Sequence, residues 1–259
     1  MRPLVAGNWK MHGLKTHLSE IRAIAARARS APVDVDILIC PPTTLIERAV
    51  QAADGQLAIG GQDCHSEVSG AFTGDVSAQM LKDDGATAVI VGHSERRKTY
   101  AETDAIVAAK AAAAKQAGLM ALVCVGESKA DRDAGRALSF CAAQIVASVP
   151  QGMTGADCAI GYEPLWAVGA DQAAAPADII EMHSHIRRTL VAHLGEAGAM
   201  VRILYGGSVT GDNAAQILAL PEVGGALVGR ESLAFAAFEA IINAASAAHS
   251  PRDTRYAKS

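Results

Sequence analysis

Three side chains able to move a proton or hold a charge each stand within three residues of the end of a short apolar run. Lys10 follows the run 4–7, His93 follows 88–91 and Glu163 follows 158–161. An ammonium is a fixed positive charge, an imidazole donates or accepts a proton, and a partly desolvated carboxylate is a base. Two glycine-containing turns accompany them: Gly206-Gly207-Ser208 after the run 201–205, and Gly229-Arg230 after 226–228. Glycine lets the backbone come close to an anion, and its N–H groups then donate to it. The turns argue for a phosphorylated small molecule and leave the reaction open. Taken singly, each feature has a plain alternative: a solvated lysine, a structural histidine, a glutamate paired with an arginine, an ordinary turn. Only their placement on a common rim gives them joint meaning.

That placement depends on the elements that carry them. Eight short apolar runs occur, at 4–7, 35–40, 57–60, 88–91, 120–125, 158–161, 201–205 and 226–228. They are rich in Val, Ile and Leu and do not alternate with polar residues, as expected of parallel strands buried on both faces. Helical stretches separate them, at 15–28, 44–53, 77–83, 104–117, 135–149, 176–194, 213–220 and 233–247. Pro176 suits a first helical turn, and Gly118 closes the helix before it. Strand then helix, eight times in about 245 residues, predicts a closed (β/α)8 barrel. An open doubly wound sheet has fewer strands. The expected organisation is one catalytic domain, 1–249, and a polar tail, 250–259. In such a barrel the C-terminal strand ends share one rim, which is where Lys10, His93, Glu163 and both glycine turns fall.

The chain has 259 residues, of which 50% are hydrophobic, enough for a sizeable core. Its net charge of −4 and the lack of a basic block argue against nucleic-acid or membrane-surface binding. No apolar run approaches the roughly 20 residues that span a bilayer. The N-terminus lacks the pattern of a signal peptide. Five cysteines, Cys40, Cys64, Cys124, Cys141 and Cys158, form no CxxC pair and read as reduced thiols of a cytoplasmic protein. His183 and His185 lie two apart on a helix and make a poor metal pair. Asp63-Cys64-His65 has no spaced partner cluster. No metal and no cofactor is expected.

The residues carry a resemblance. The motifs Gly7-Asn8-Trp9-Lys10-Met11, Gly70-Ala71-Phe72-Thr73-Gly74 and Val91-Gly92-His93-Ser94-Glu95-Arg96-Arg97 resemble those of the triosephosphate isomerase family. So do Cys124-Val125-Gly126-Glu127, Tyr162-Glu163-Pro164-Leu165-Trp166-Ala167 and Tyr205-Gly206-Gly207-Ser208-Val209. The resemblance runs from Leu4 to Ala247. It implies a TIM barrel that interconverts dihydroxyacetone phosphate and D-glyceraldehyde 3-phosphate through an enediolate, a step of glycolysis and gluconeogenesis. Glu163 would be the base, His93 a neutral electrophile and Lys10 the positive charge, with Asn8 orienting substrate or Lys10. Ser94 would cap a short helix whose positive end keeps His93 uncharged. Gly169, Ser208, Gly229 and Arg230 would hold the phosphate. The segment 164–174 would be a lid closing against Tyr205 and Ser208.

The sequence also departs from the family. The lid carries Ala170-Asp171-Gln172 where Thr-Gly-Lys is usual, Arg230 replaces a glycine, and His12 stands where Asn is common. If the turn needs positive φ, Arg230 is strained by roughly 1–2 kcal/mol; its side chain is expected to point to solvent. The resemblance further implies a homodimer through the loop from Gln62 to Asp75, with Thr73 near the partner's Asn8 and Lys10. Two other readings remain: an isomerase of a four-carbon ketose phosphate, and a non-catalytic sugar-phosphate-binding paralogue.

Overall fold

A computed structural model describes residues 1–31, 34–169 and 173–249. The strands are β1 (Leu4–Asn8), β2 (Asp36–Cys40), β3 (Ala58–Gly61) and β4 (Ala88–Val91), then β5 (Met120–Val125), β6 (Cys158–Tyr162), β7 (Arg202–Tyr205) and β8 (Gly225–Val228). Each pairs in parallel with the next, and β8 pairs with β1, so the sheet closes into the expected single-domain barrel. The helices are α1 (Leu18–Ser30), α2 (Ile46–Ala53), α3 (Ala78–Asp83), α4 (Ser94–Thr99) and α5 (Asp104–Gln116). They continue as α6 (Lys129–Asp133), α7 (Ala137–Ser148), α8 (Pro176–Leu194), α9 (Gly211–Leu218) and α10 (Phe235–His249). The expected tail 250–259 lies outside the described residues.

The missing polar alternation has its cause in two nested apolar layers. Leu4, Ala6, Leu38, Cys40, Ala88, Ile90, Leu122 and Cys124 fill the barrel interior. Their neighbours Val5, Ile37, Ile39, Val89, Val91 and Val123 face outward and pack under the helices. Successive side chains of a strand point to opposite faces, and here both faces are dry. All five cysteines are buried and unpaired.

Helix starts follow local chemistry. Thr103 Oγ1 accepts from Ile106 N–H at 3.3 Å and Ser77 Oγ from Met80 N–H at 3.3 Å, each occupying one of the donors a helix N-terminus leaves free. The stretch expected at 15–28 is a 3-10 turn, Lys15–His17, followed by α1. The helix expected at 213–220 starts earlier, because Thr210 and Asn213 form a reciprocal capping box. The short α6 was not expected; Ser128 caps it through Asp131 N–H at 3.1 Å.

Candidate active site

At the C-terminal rim, the three side chains Lys10, His93 and Glu163 open on one cavity of about 380 Å³ together with the residues of both glycine turns. Asn8, Lys10, His93, Glu163, Gly169, Ser208, Gly229 and Arg230 all line it. Residues spread over more than two hundred positions therefore converge, because parallel strands deliver their ends to the same side.

Glu163 leaves the end of β6, where its N–H donates to Val125 O at 2.8 Å. The residue is only 2% exposed. One oxygen accepts from Ser94 N–H at 3.0 Å, and the other from Ser94 Oγ at 3.2 Å. His93 Nε2 lies 2.9 Å from Glu163 Oε1. Burial pushes the Glu163 carboxyl upward, but the His93 imidazole and the Ser94 donors outweigh it and hold it below the ordinary glutamate value. Ser94 was not expected to touch the base.

The α4 cap differs from expectation. His93, not Ser94, caps this helix: its Nδ1 accepts from Glu95 N–H at 3.2 Å. An accepting Nδ1 places the proton of a neutral ring on Nε2. Burial pulls the His93 pKa down, yet the adjacent Glu163 carboxylate overcomes it, so in this arrangement the imidazole titrates above its ordinary value. That direction runs against an imidazole kept neutral by the helix alone, and its cause is the direct contact with Glu163.

Lys10 has φ +53, a left-handed conformation uncommon for a side chain of this type. Three bonds fix it. Its N–H donates to Asn8 Oδ1 at 3.0 Å, Gln62 Nε2 donates to Lys10 O at 2.8 Å, and Lys10 Nζ donates to Glu95 Oε1 at 2.6 Å. Strain of this kind persists where neighbours over-determine it, and it often marks a functional site. Asn8 therefore orients Lys10, and Glu95 is its charge partner.

The glycine turns are more than reversals. A Cβ at Gly207 would fall 2.1 Å from Tyr205 Oη, so only glycine lets the turn fold back over that hydroxyl. The same hydroxyl accepts from Ala174 N–H at 2.8 Å and anchors the end of the 164–174 segment. Gly229 has φ −87, and Arg230 is not among the residues with positive φ, so the substitution at 230 carries no backbone strain. The Arg230 side chain is exposed at the cavity rim. Gly169 has φ +69; Ala170, Asp171 and Gln172 lie outside the described residues.

Glu127 is the residue whose importance the sequence hid. It is fully buried. Its Oε1 accepts from Arg132 Nε at 2.9 Å, Tyr162 Oη at 3.1 Å and Trp166 Nε1 at 3.1 Å. It thus ties β5, α6, β6 and the start of the 164–174 segment together. Its position after β5 was visible, but its partners come from three other elements. His183 is buried with Nδ1 3.1 Å from Glu222 O, and burial lowers its pKa to about 4. Among the described residues no group of three or more His, Cys, Asp or Glu is placed to hold a metal ion, and no helix is long and apolar enough to cross a membrane.

The loop 62–75 stands out from this rim. His65 and Phe72 stack with ring centroids 4.0 Å apart, and Phe72 and Thr73 are exposed. A second cavity of about 610 Å³ lies beside the first, lined by Lys10, Met11, Gln62, Glu95 and Tyr100 among others.

Comparison with known proteins gives a consistent result. A family profile described as triosephosphate isomerase matches residues 3–245. A triosephosphate isomerase of Afipia carboxidovorans is 54% identical over 94% of this chain and 98% of its own length. One of Caulobacter vibrioides is 52% identical over 94% and 96%. The crystal structure of a triosephosphate isomerase from Bartonella henselae superposes with a TM-score of 0.88 at 44% identity, covering 94% of this chain and 99% of that one.

Proposed function

The chain belongs to the triosephosphate isomerase family and interconverts dihydroxyacetone phosphate and D-glyceraldehyde 3-phosphate, and from that premise we propose how its own residues divide the reaction. Glu163 takes the proton from the carbon beside the carbonyl. To do so it exchanges Ser94 and His93 for the substrate, and burial then makes it a stronger base than a solvated carboxylate. Once Glu163 moves off, His93 loses the contact that raises its pKa. Burial and the Glu95 N–H on Nδ1 then favour the neutral ring, whose Nε2–H donates to the enediolate oxygens. Lys10, fixed by Asn8 and Glu95, places positive charge beside them. Backbone N–H groups of Gly169, Ser208, Gly229 and Arg230 hold the phosphate. The 164–174 segment acts as a lid that keeps water from the enediolate. Every step uses protein groups alone.

The observation that carries this reading is the meeting of Lys10, His93 and Glu163 in one cavity beside the two glycine turns. A coupled assay tests it: turnover of glyceraldehyde 3-phosphate is expected, with kcat/KM roughly 10–200-fold above that for a four-carbon aldose phosphate, the discrimination one carbon commonly gives. Equal turnover of both substrates would reassign the specificity.

We also take residues 1–249 as the catalytic domain, acting in glycolysis and gluconeogenesis as a cytoplasmic homodimer. Five unpaired cysteines support the reducing compartment. Met11 at 96% and Tyr100 at 66% exposure, flanking the second cavity, support a partner that covers them. In the dimer, Thr73 enters that cavity on the partner, near the partner's Asn8 and Lys10. Sedimentation is expected at twice the chain mass. Thr73→Arg should move it to the single-chain mass and lower kcat roughly tenfold or more by loosening Lys10. A fully active single chain would refute the dimer.

A further inference from the structure

The active-site cavity continues beyond the phosphate turns to a rim that includes His12, Arg230 and Glu231. Both His12 and Arg230 are exposed, and among the described residues neither side chain makes a hydrogen bond or ion pair. Lys10, on the same cavity, is committed to Glu95 at 2.6 Å. Arg230 directly follows Gly229 and opens the 3-10 turn Arg230–Leu233. Its backbone therefore belongs to the phosphate turn while its guanidinium stands at the edge of it. A guanidinium is charged at any working pH and offers a planar fork that matches two phosphate oxygens at once. Glu231 on the same rim is only partly exposed and disfavours an anion placed against it, so the favourable direction runs towards Arg230 and His12.

We propose that Arg230, with His12 on the same rim, forms a second anion subsite adjoining the phosphate turns, so that the cavity takes small molecules bearing two linked phosphoryl groups as competitors of the triose phosphate. The proposal rests on reading the Ser208 and Gly229 turns as the phosphate holder, and it adds a ligand class to that site. One phosphoryl group occupies the turns and the next reaches the guanidinium.

The test compares inorganic phosphate and pyrophosphate as competitors of glyceraldehyde 3-phosphate in metal-free buffer, for the unaltered protein, Arg230→Gly, Arg230→Lys and His12→Asn. Pyrophosphate is expected to compete about tenfold more tightly than phosphate in the unaltered protein. In Arg230→Gly, which keeps the backbone N–H and loses only the side chain, the ratio should fall to about threefold or less. Arg230→Lys, a point charge without the fork, and His12→Asn should fall between these. Equal competition by the two anions in the unaltered protein, or an unchanged ratio in Arg230→Gly, overturns the proposal and leaves the phosphate turns standing. Failure of both anions to compete removes the phosphate turns as well.

Discussion

Glu163→Asp is expected to lower kcat roughly 10²–10³-fold with KM changed by only a few fold. The side chain keeps its charge and loses one methylene, so the change isolates position from basicity. The backbone has little freedom to make up the difference. Glu163 N–H is bound to Val125 O at 2.8 Å, Tyr162 O accepts from Gly206 N–H at 2.7 Å, and Pro164 stiffens the next step. The shortened carboxylate therefore sits about 1 Å or more behind the reacting carbon, a displacement worth about 10² or more in rate. A loss confined to kcat marks an interaction made in the transition state, whereas a rise in KM alone would mark uniform binding. Glu163→Gln supplies the complement, since it keeps the length and removes the base; a fall of roughly 10²–10⁴ is expected. Steady-state coupled kinetics on both variants decide the matter. Activity of Glu163→Asp within a few fold of the parent would exclude positioning of this carboxylate as the source of the rate.

The barrel is legible in the sequence because its strands are apolar on both faces. The runs 88–91 and 120–125 match β4 and β5 at each end; Thr87, Gly92 and Gly126 mark three of the four boundaries, while Leu119 before Met120 is apolar. The other six strands differ from the runs by one residue at one or both ends, and at β1 the added residue is polar. Asn8 pairs with Cys40 in β1 although it reads as loop. The helix at 211 began early because its start is fixed by Thr210 and Asn213 acting together, a reciprocal bond that apolar periodicity does not report. At the site, residue type and rim position were legible, and contact was not. His93 taking the cap of α4 depends on ring geometry rather than on spacing. Glu127 gathers Arg132 from a five-residue helix that has no apolar period at all. Arg230 illustrates the reverse case. The sequence raised a strain that would exist only at positive φ, and the turn does not adopt it.

Gly126→Ala is expected to damage fold and catalysis together. A Cβ at Gly126 would fall 1.8 Å from Glu163 O and 2.6 Å from Glu163 C, contacts no side chain tolerates. The obstacle is backbone, so no rotamer change relieves it. Gly126 is itself held by Gln144 Oε1, which accepts its N–H at 2.8 Å inside the protein. Relief must come from separating β5 and β6 just beyond the pair Val125↔Tyr162, and that moves Glu163 directly. Overpacking of a rigid core costs about 1–3 kcal/mol and occasionally more. A shift of about 1 Å in the base removes about 10² in rate. Gly118→Ala separates the two effects, because Gly118 has φ +73 and nothing within 4 Å of a Cβ. It should lose roughly 1–2 kcal/mol through backbone conformation alone and keep its kcat. Urea unfolding and coupled kinetics on the two variants measure both quantities. A folded Gly126→Ala with parental kcat would mean that Glu163 does not depend on the β5 end for its position. The placement of the base would then have to be carried by Ser94 and His93 alone.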